Sequence, residues 1–430
     1  MKQQEEGLKR TIGLWGLSSN IINTVIGAGI FVIPGIVAAG LGSASILAYL
    51  ICGFLIILIM LCFAEVGSKI THPGGAYAYI EDTFGKFAGF IAAILFLIAT
   101  ISSDAAIANA LIDIIGSFFS VFQIKLVKIL LFMIIFSGLA YINIKGTKKG
   151  SRFVMMITFI KIIPLLVIVL IGFKDIQISN LYWETIPPLK DLGETSLILF
   201  FAFVGAESGL SISGEVKNPN STIPRAIFLS VFGVLILYIL IQTVSQGILG
   251  ETLASFQENP LGELAKSIFG PIGLTLITIG AAVSMFGTLS SEIFGMPRVL
   301  FSAAKDKIIP IEILSSVHKK YVTPYIAIIV YSALGFLFAS FGGFKQLAIM
   351  SSAAILIIYL GVALAVIRLR RNDGIESKTF RIPGGYTVPI LSILIILLFL
   401  SNLSKNEMIT SATFIGVLSV IYVIIKKLKK

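Results

Sequence analysis

Twelve apolar stretches, near residues 12–39, 43–70, 84–116, 126–143, 151–173, 193–215, 223–247, 270–303, 322–341, 344–368, 387–402 and 408–426, follow one another with short polar gaps. Runs of this kind approach or exceed the roughly 20 residues a helix needs to cross a bilayer. In hydrocarbon every backbone N–H and C=O must be paired internally, which leaves helices or closed barrels, and the segments are too long and too uniformly apolar for barrel strands. Composition agrees: 57% of the 430 residues are hydrophobic and 13% are charged, with a mean hydropathy of +0.99, well outside the soluble range. The chain reads as an all-α polytopic membrane protein with 12 transmembrane helices.

Charge orients it. With the N-terminus in the cytoplasm, most of the 33 Lys and Arg fall at the cytoplasmic loops, tails and span ends, few fall on the opposite side, and Lys161 alone lies near the middle of a span. The positive-inside rule then places both termini in the cytoplasm of a multi-pass plasma (inner) membrane protein. The net charge of +11 is accounted for without nucleic acid, and the basic tail Lys426, Lys427, Lys429, Lys430 is suited to anionic membrane lipid. The first segment is too long, and its glycines too central, for a cleavable signal peptide.

Cys52 and Cys62 share one segment, about 15 Å apart along a helix, and cannot pair. His72 and His318 fall in loops, so no histidine metal site is available within the membrane and no cofactor is expected. Without a zinc-protease histidine pair, a phosphate-cradling loop or a Gly-x-Ser-x-Gly elbow, an enzyme or ATP-driven pump is disfavoured. Oligomeric state stays open.

Two stretches break the helical pattern at mid-depth. In Val25-Ile26-Gly27-Ala28-Gly29-Ile30-Phe31, two glycines flank one alanine; some 180 residues later, Phe201-Ala202-Phe203-Val204-Gly205-Ala206-Glu207 again places small residues and a glycine at mid-depth, with a carboxylate inside the break. Small residues there either let neighbouring helices approach closely or unwind the backbone around a wet site, where freed N–H groups suit an anionic group. Interrupted helices at matching positions of two halves point to an inverted repeat with a central site. The expected organisation is a cytoplasmic N-terminus (1–11), a first repeat (12–173), a second repeat (193–368), two additional spans (387–426) and a short basic tail (427–430).

Four ionisable residues fall near mid-depth: Asp104, Lys161, Glu207 and Glu292. Each uncompensated charge there costs about 2.5–3.5 kcal/mol and marks a site, although a buried ion pair between helices would also account for Lys161. Outside the spans, His72-Pro73-Gly74-Gly75 followed by Tyr77 and Tyr79 reads as a turn with interfacial aromatic anchors. Pro224 reads as a first-turn proline of the seventh segment. Ser351 and Ser352 read as helix-contact residues.

Together, Gly27-Ala28-Gly29-Ile30-Phe31, Pro73-Gly74-Gly75-Ala76-Tyr77-Ala78-Tyr79, Phe201 to Gly205 followed by Glu215-Val216-Lys217-Asn218-Pro219 and Ile223-Pro224-Arg225-Ala226, and the Arg298 to Pro310 stretch resemble the amino acid–polyamine–organocation transporter superfamily. The resemblance covers nearly the whole chain. It implies a LeuT-type 5+5 inverted repeat with helices 1 and 6 broken, alternating access, and an amino acid or amine held at the two breaks. The substrate carboxylate would be bound by the amides of Ile26, Gly27, Ala28, Gly29 and Ile30, and the amino group by carbonyls around Phe203, Val204 and Gly205. Glu207 is similar to a proton-linked glutamate of the bacterial arginine/agmatine antiporters, whose gating tryptophan is replaced here by Phe201; Asp104 and Glu292 fall near two other site positions of that subgroup. Lys161 resembles the fifth-span lysine of proton-coupled, sodium-independent members, where an ammonium stands in for sodium.

Three acids and one lysine leave the central region at up to minus two, which a cationic ligand or protons would balance. The expectation is a secondary transporter for cationic amino acids such as arginine, lysine or ornithine, or related amines, proton-coupled or exchanging and sodium-independent. A neutral amino acid carrier with internally paired acids is the alternative, and a non-transporting nutrient receptor a more distant one.

Overall fold

The computed structural model describes residues 12–70, 75–146, 151–183, 185–209, 216–372 and 380–428. The N-terminal eleven residues, His72, Pro73, Gly74, Glu215, Lys429 and Lys430 lie outside them. Among the described residues there is no strand, only an isolated parallel bridge between Ile12 and Val216. The helices are α1 (Leu14–Val25), α2 (Gly29–Leu41), α3 (Ser45–Lys69), α4 (Ala76–Phe84), α5 (Lys86–Gly116), α6 (Lys125–Lys145), α7 (Ser151–Gly172), α8 (Leu189–Phe200), α9 (Ala206–Gly209), α10 (Pro219–Leu249), α11 (Pro260–Phe269), α12 (Pro271–Lys305), α13 (Tyr325–Phe341), α14 (Phe344–Asn372), α15 (Thr387–Ser401) and α16 (Lys405–Leu428).

Seven helical stretches among the described residues are long and apolar enough to cross a membrane by length and composition, and α13 and α15 are shorter apolar helices. Outer helices carry apolar side chains on the outside: Leu126 and Ile134 of α6 and Val420 and Val423 of α16 are exposed. Lipid tails are as apolar as leucine, so this arrangement costs nothing in a bilayer, and it identifies an integral membrane protein. The interior holds α1, α2, α8 and α9 against α3, α5, α10, α12 and α14.

One charged pair is fully enclosed. Arg370 near the end of α14 donates through Nε to Glu65 Oε1 of α3 at 2.7 Å, and through a second nitrogen to Oε2. The Ile382 amide adds a 2.8 Å bond to Glu65, and Arg370 also donates to the Ile382 and Gly385 carbonyls. With every partner hydrogen-bonded, the pair fixes the segment before α15 onto α3 and α14.

Two local readings change. Tyr77 and Tyr79 are not interfacial anchors: they lie on α4 and are buried, Tyr79 edge-on to Phe63 at 6.2 Å. Turn chemistry located the helix start but could not show that α4 packs back on α5 and α14. The seventh segment begins at Pro219, not near Pro224. Asn218 turns the chain in the left-handed region (φ 46°), and Pro219 takes the first helical position, where its missing N–H is not needed.

Candidate functional site

Both glycine-rich stretches interrupt their helices. α1 ends at Val25 and α2 restarts at Gly29; α8 ends at Phe200, passes through a tight turn over 201–203, and restarts as α9 at Ala206. The two breaks face each other. A Cβ on Gly29 would sit 2.7 Å from Ala202 Cα, and one on Gly205 would sit 2.9 Å from the Thr24 carbonyl oxygen. Gly205 also has φ +116°, a backbone conformation that side chains disfavour, so glycine is required on both counts.

Unwinding frees backbone groups, and named side chains take them up. Thr24 Oγ1 donates to the Gly205 carbonyl at 2.9 Å. The Tyr238 hydroxyl of α10 lies 3.2 Å from both the Val25 and the Ala202 carbonyl oxygens and donates between them. Lys161 Nζ of α7 donates to the Asn23 carbonyl at 3.2 Å, the Ile26 carbonyl at 3.1 Å and Thr288 Oγ1 of α12 at 2.8 Å. Among the described residues Lys161 forms no ion pair; its ammonium closes a cage of oxygens at the end of α1. Of the five amides expected to meet a carboxylate, those of Ile26 and Gly27 are already used, donating to the Ile22 and Val25 carbonyls at 2.9 Å each, while those of Ala28, Gly29 and Ile30, at the start of α2, take no acceptor among the described residues, as expected of a helix N-terminus.

A small cavity of about 20 Å³ lies beside the breaks, lined by Thr24, Thr100, Ser103, Val204, Gly205, Glu207, Thr288 and Glu292 together with Ala99 and Ile107. That volume suits about one water molecule, so the helices are drawn tightly around it. Glu207 is held at its rim: the Gly205 amide donates to both carboxylate oxygens at 3.2 and 3.1 Å, and the Tyr359 hydroxyl of α14 donates to Oε2. Glu292 lines the cavity with no hydrogen bond or ion pair among the described residues.

The structure thus brings together the first break, Val204, Gly205, Glu207, Glu292 and, through Thr288, Lys161. It places three other residues elsewhere. Asp104 is fully buried but does not line the cavity; its Oδ2 accepts a 2.9 Å bond from Tyr331 of α13. Phe201 packs edge-on against Phe344 at 5.6 Å, and Phe203 packs on Tyr238 at 5.3 Å. Sequence reasoning missed Thr24, Thr100, Ser103 and Thr288, since a lone hydroxyl in an apolar helix commonly bonds its own backbone. It also missed Tyr238, Tyr331 and Tyr359, whose signal was available: tyrosines belong at the membrane interface, and these three lie deep in apolar helices.

Comparison with known proteins fits this geometry. The amino acid permease family model matches residues 12–425. Similar proteins include the serine/threonine exchanger SteT of Bacillus subtilis, 32% identical over 91% of this chain and 91% of its own length. The branched-chain amino acid permease BcaP of the same organism is 25% identical over 97% and 93%. Cationic amino acid transporter 1 of Arabidopsis thaliana is 26% identical over 86% and 64%. With two interrupted helices meeting at a polar cavity and a family match over nearly its full length, the chain belongs to the amino acid permease family of the amino acid–polyamine–organocation superfamily, whose members are transporters and not enzymes.

Proposed function

We propose that the protein is a secondary transporter that carries cationic amino acids or related amines by alternating access, with the substrate held between the two breaks. In this reading the chain crosses the membrane twelve times as a LeuT-type five-plus-five repeat (12–173 and 193–368) with two further spans, and both termini are cytoplasmic. The α-carboxylate meets the amides of Ala28, Gly29 and Ile30, where a helix N-terminus favours negative charge. The α-amino group meets carbonyls of the second break. The observation that carries the cationic preference is the pair of acids on one cavity: Glu207 and Glu292 both line it, and the nearest ammonium, Lys161, is engaged by the Asn23 and Ile26 carbonyls. Asp104, held by Tyr331, is assigned a supporting role beside the site.

Lys161 supports a sodium-independent cycle. Its Nζ occupies an oxygen cage built from the Asn23 carbonyl of α1, the Ile26 carbonyl of the first break and the Thr288 hydroxyl, the donor set a small hard cation would take. Coupling then runs through protons or through exchange of one amino acid for another.

A second reading rests on a specific observation. Thr24, Thr100, Ser103 and Thr288 place four hydroxyls around the small cavity, and the Bacillus subtilis relative is named a serine/threonine exchanger. Those hydroxyls match the hydrogen-bonding chemistry of a small hydroxylated amino acid. Uptake of radiolabelled arginine, lysine, ornithine, serine and threonine into proteoliposomes, with choline or sodium outside, separates the two. Saturable uptake of basic substrates without sodium supports the first reading; transport of serine and threonine with indifference to all three basic amino acids replaces it with the second. Absence of uptake and of counterflow for all five removes both.

A further inference from the structure

One face of α10 carries a line of buried polar groups that the transport reading does not use. Tyr238, Gln242, Ser245 and Gln246 follow at helical spacings of four, three and one, so they share a side of the helix over about 12 Å. All four are at least nine-tenths buried. At the inner end Tyr238 bonds the carbonyls of both breaks. At the other end Gln246 lines a cavity of about 520 Å³ at the far ends of α2 and α10, beside Asn180, Asp191 and Glu251.

Between those ends the polar atoms are orphaned. Both Nε2 and Oε1 of Gln242, Oγ of Ser245 and Oε1 of Gln246 have no hydrogen-bond partner among the described residues. Two groups across the interface are in the same state: the Tyr49 hydroxyl of α3 and the Ser196 hydroxyl of α8. The register sets them at the same level. α3 and α10 run antiparallel and touch where a Cβ on Gly53 would meet Leu235, so Tyr49, one turn back on α3, sits opposite the Tyr238-to-Gln242 turn. Cys52, on the same face of α3, reaches the Ser196 carbonyl at 3.3 Å and ties α8 into the group.

A buried hydroxyl or amide without a partner is rare because it forfeits its hydrogen bonds to water, and six such atoms on three facing helices multiply that cost. Internal water resolves it when each molecule finds two to four polar partners, and this cluster supplies six unpartnered polar atoms where an apolar void supplies none. We propose that the α10 face from Gln246 to Tyr238 holds a file of internal water that links the far-end cavity to the two helix breaks, with Tyr49 and Ser196 as its other wall. The file is separate from the cavity lined by Glu207 and Glu292, since none of Gln242, Ser245, Gln246, Tyr49 or Ser196 lines that cavity. It gives the breaks access to water along a route of fixed polar groups.

Radiolytic hydroxyl-radical labelling of the full chain in lipid nanodiscs tests this, because radicals formed from a bound water modify the side chain beside it even when bulk solvent is excluded. Tyr49 is expected to be labelled, while Phe136, equally buried but walled by apolar groups, is not; exposed Tyr182 sets the upper reference. Gln242→Leu is expected to bring Tyr49 labelling down to the Phe136 level with Tyr182 unchanged, and Ser245→Ala gives the same reading should the leucine variant fail to fold. An unlabelled Tyr49 in the native protein overturns the proposal, as does labelling that persists undiminished in both variants.

Discussion

Replacing Gly29 by alanine probes the contact on which the site rests. The added Cβ would lie 2.7 Å from Ala202 Cα and 2.8 Å from its Cβ, about 1 Å inside the optimal carbon–carbon separation of roughly 3.5–4.0 Å. Both neighbours are backbone or backbone-fixed, so no side chain can rotate away, and overpacking of this kind costs about 1–3 kcal/mol. Alanine recovers up to about 1 kcal/mol as a better helix former, which leaves a net loss of about 1–2 kcal/mol and a forced separation of the two breaks. Gly27, only two residues away, supplies the control. A Cβ there meets Thr288 Cγ2 at 3.6 Å and Ile107 Cδ1 at 3.8 Å, ordinary contacts. Gly29→Ala is therefore expected to lower the melting temperature of the purified protein in detergent and to suppress uptake into proteoliposomes. Gly27→Ala should melt like the native chain and alter mainly the apparent substrate affinity, because its methyl group enters the cavity wall. Equal melting temperatures for the native chain and Gly29→Ala, or equal losses for the two variants, would refute the close-approach reasoning.

Lys161→Ala removes the donor to two buried carbonyls, at about 1–3 kcal/mol each, and is expected to abolish the pH dependence of uptake while substrate exchange persists; counterflow measured across pH checks this, and retained pH dependence moves attention to Glu207. Arg370→Leu leaves buried Glu65 with Lys69, 3.9 Å away, as its charged partner and should cost about 3 kcal/mol, the low end for breaking a buried pair, whereas adding Glu65→Leu should recover a large part of that loss, measurable as a double-mutant cycle of thermal stability. Tyr238→Phe keeps the ring against Phe203 and deletes only the hydroxyl that donates to the Val25 and Ala202 carbonyls; a loss of about 1 kcal/mol is expected, read from the melting temperature.

Much of the architecture was readable because the bilayer makes hydrophobicity and charge nearly sufficient. The apolar runs locate the helices, and the glycines at 27, 29 and 205 locate the interruptions, since few other residues tolerate the φ of Gly205 or the approach at Gly29. Side-chain direction was not readable. Phe201 and Phe203 sit in a tight turn whose geometry points them at Phe344 and Tyr238, away from the cavity, and nothing local to the strand of sequence encodes that. Asp104 was correctly found at mid-depth, but whether a helical residue faces a cavity or a tyrosine on another helix is decided by neighbours more than 200 positions away. The Glu65–Arg370 pair was missed for the same reason: the two residues are 305 positions apart, and each alone reads as a charge near a helix end.

The bonds that join the two breaks carry a mechanical consequence. Thr24 to Gly205, Tyr238 to Val25 and Ala202, and the close fit of Gly29 on Ala202 weld the interrupted rods to one another and to α10, so prying them apart would cost all of these ties together. Across the cavity, by contrast, the described tie from the first rod to α12 passes through one flexible ammonium, Lys161 on Thr288. In the alternating-access cycle proposed above, the two breaks and α10 would then move as a single leaf, and the contact that parts first would be the long lysine side chain on Thr288.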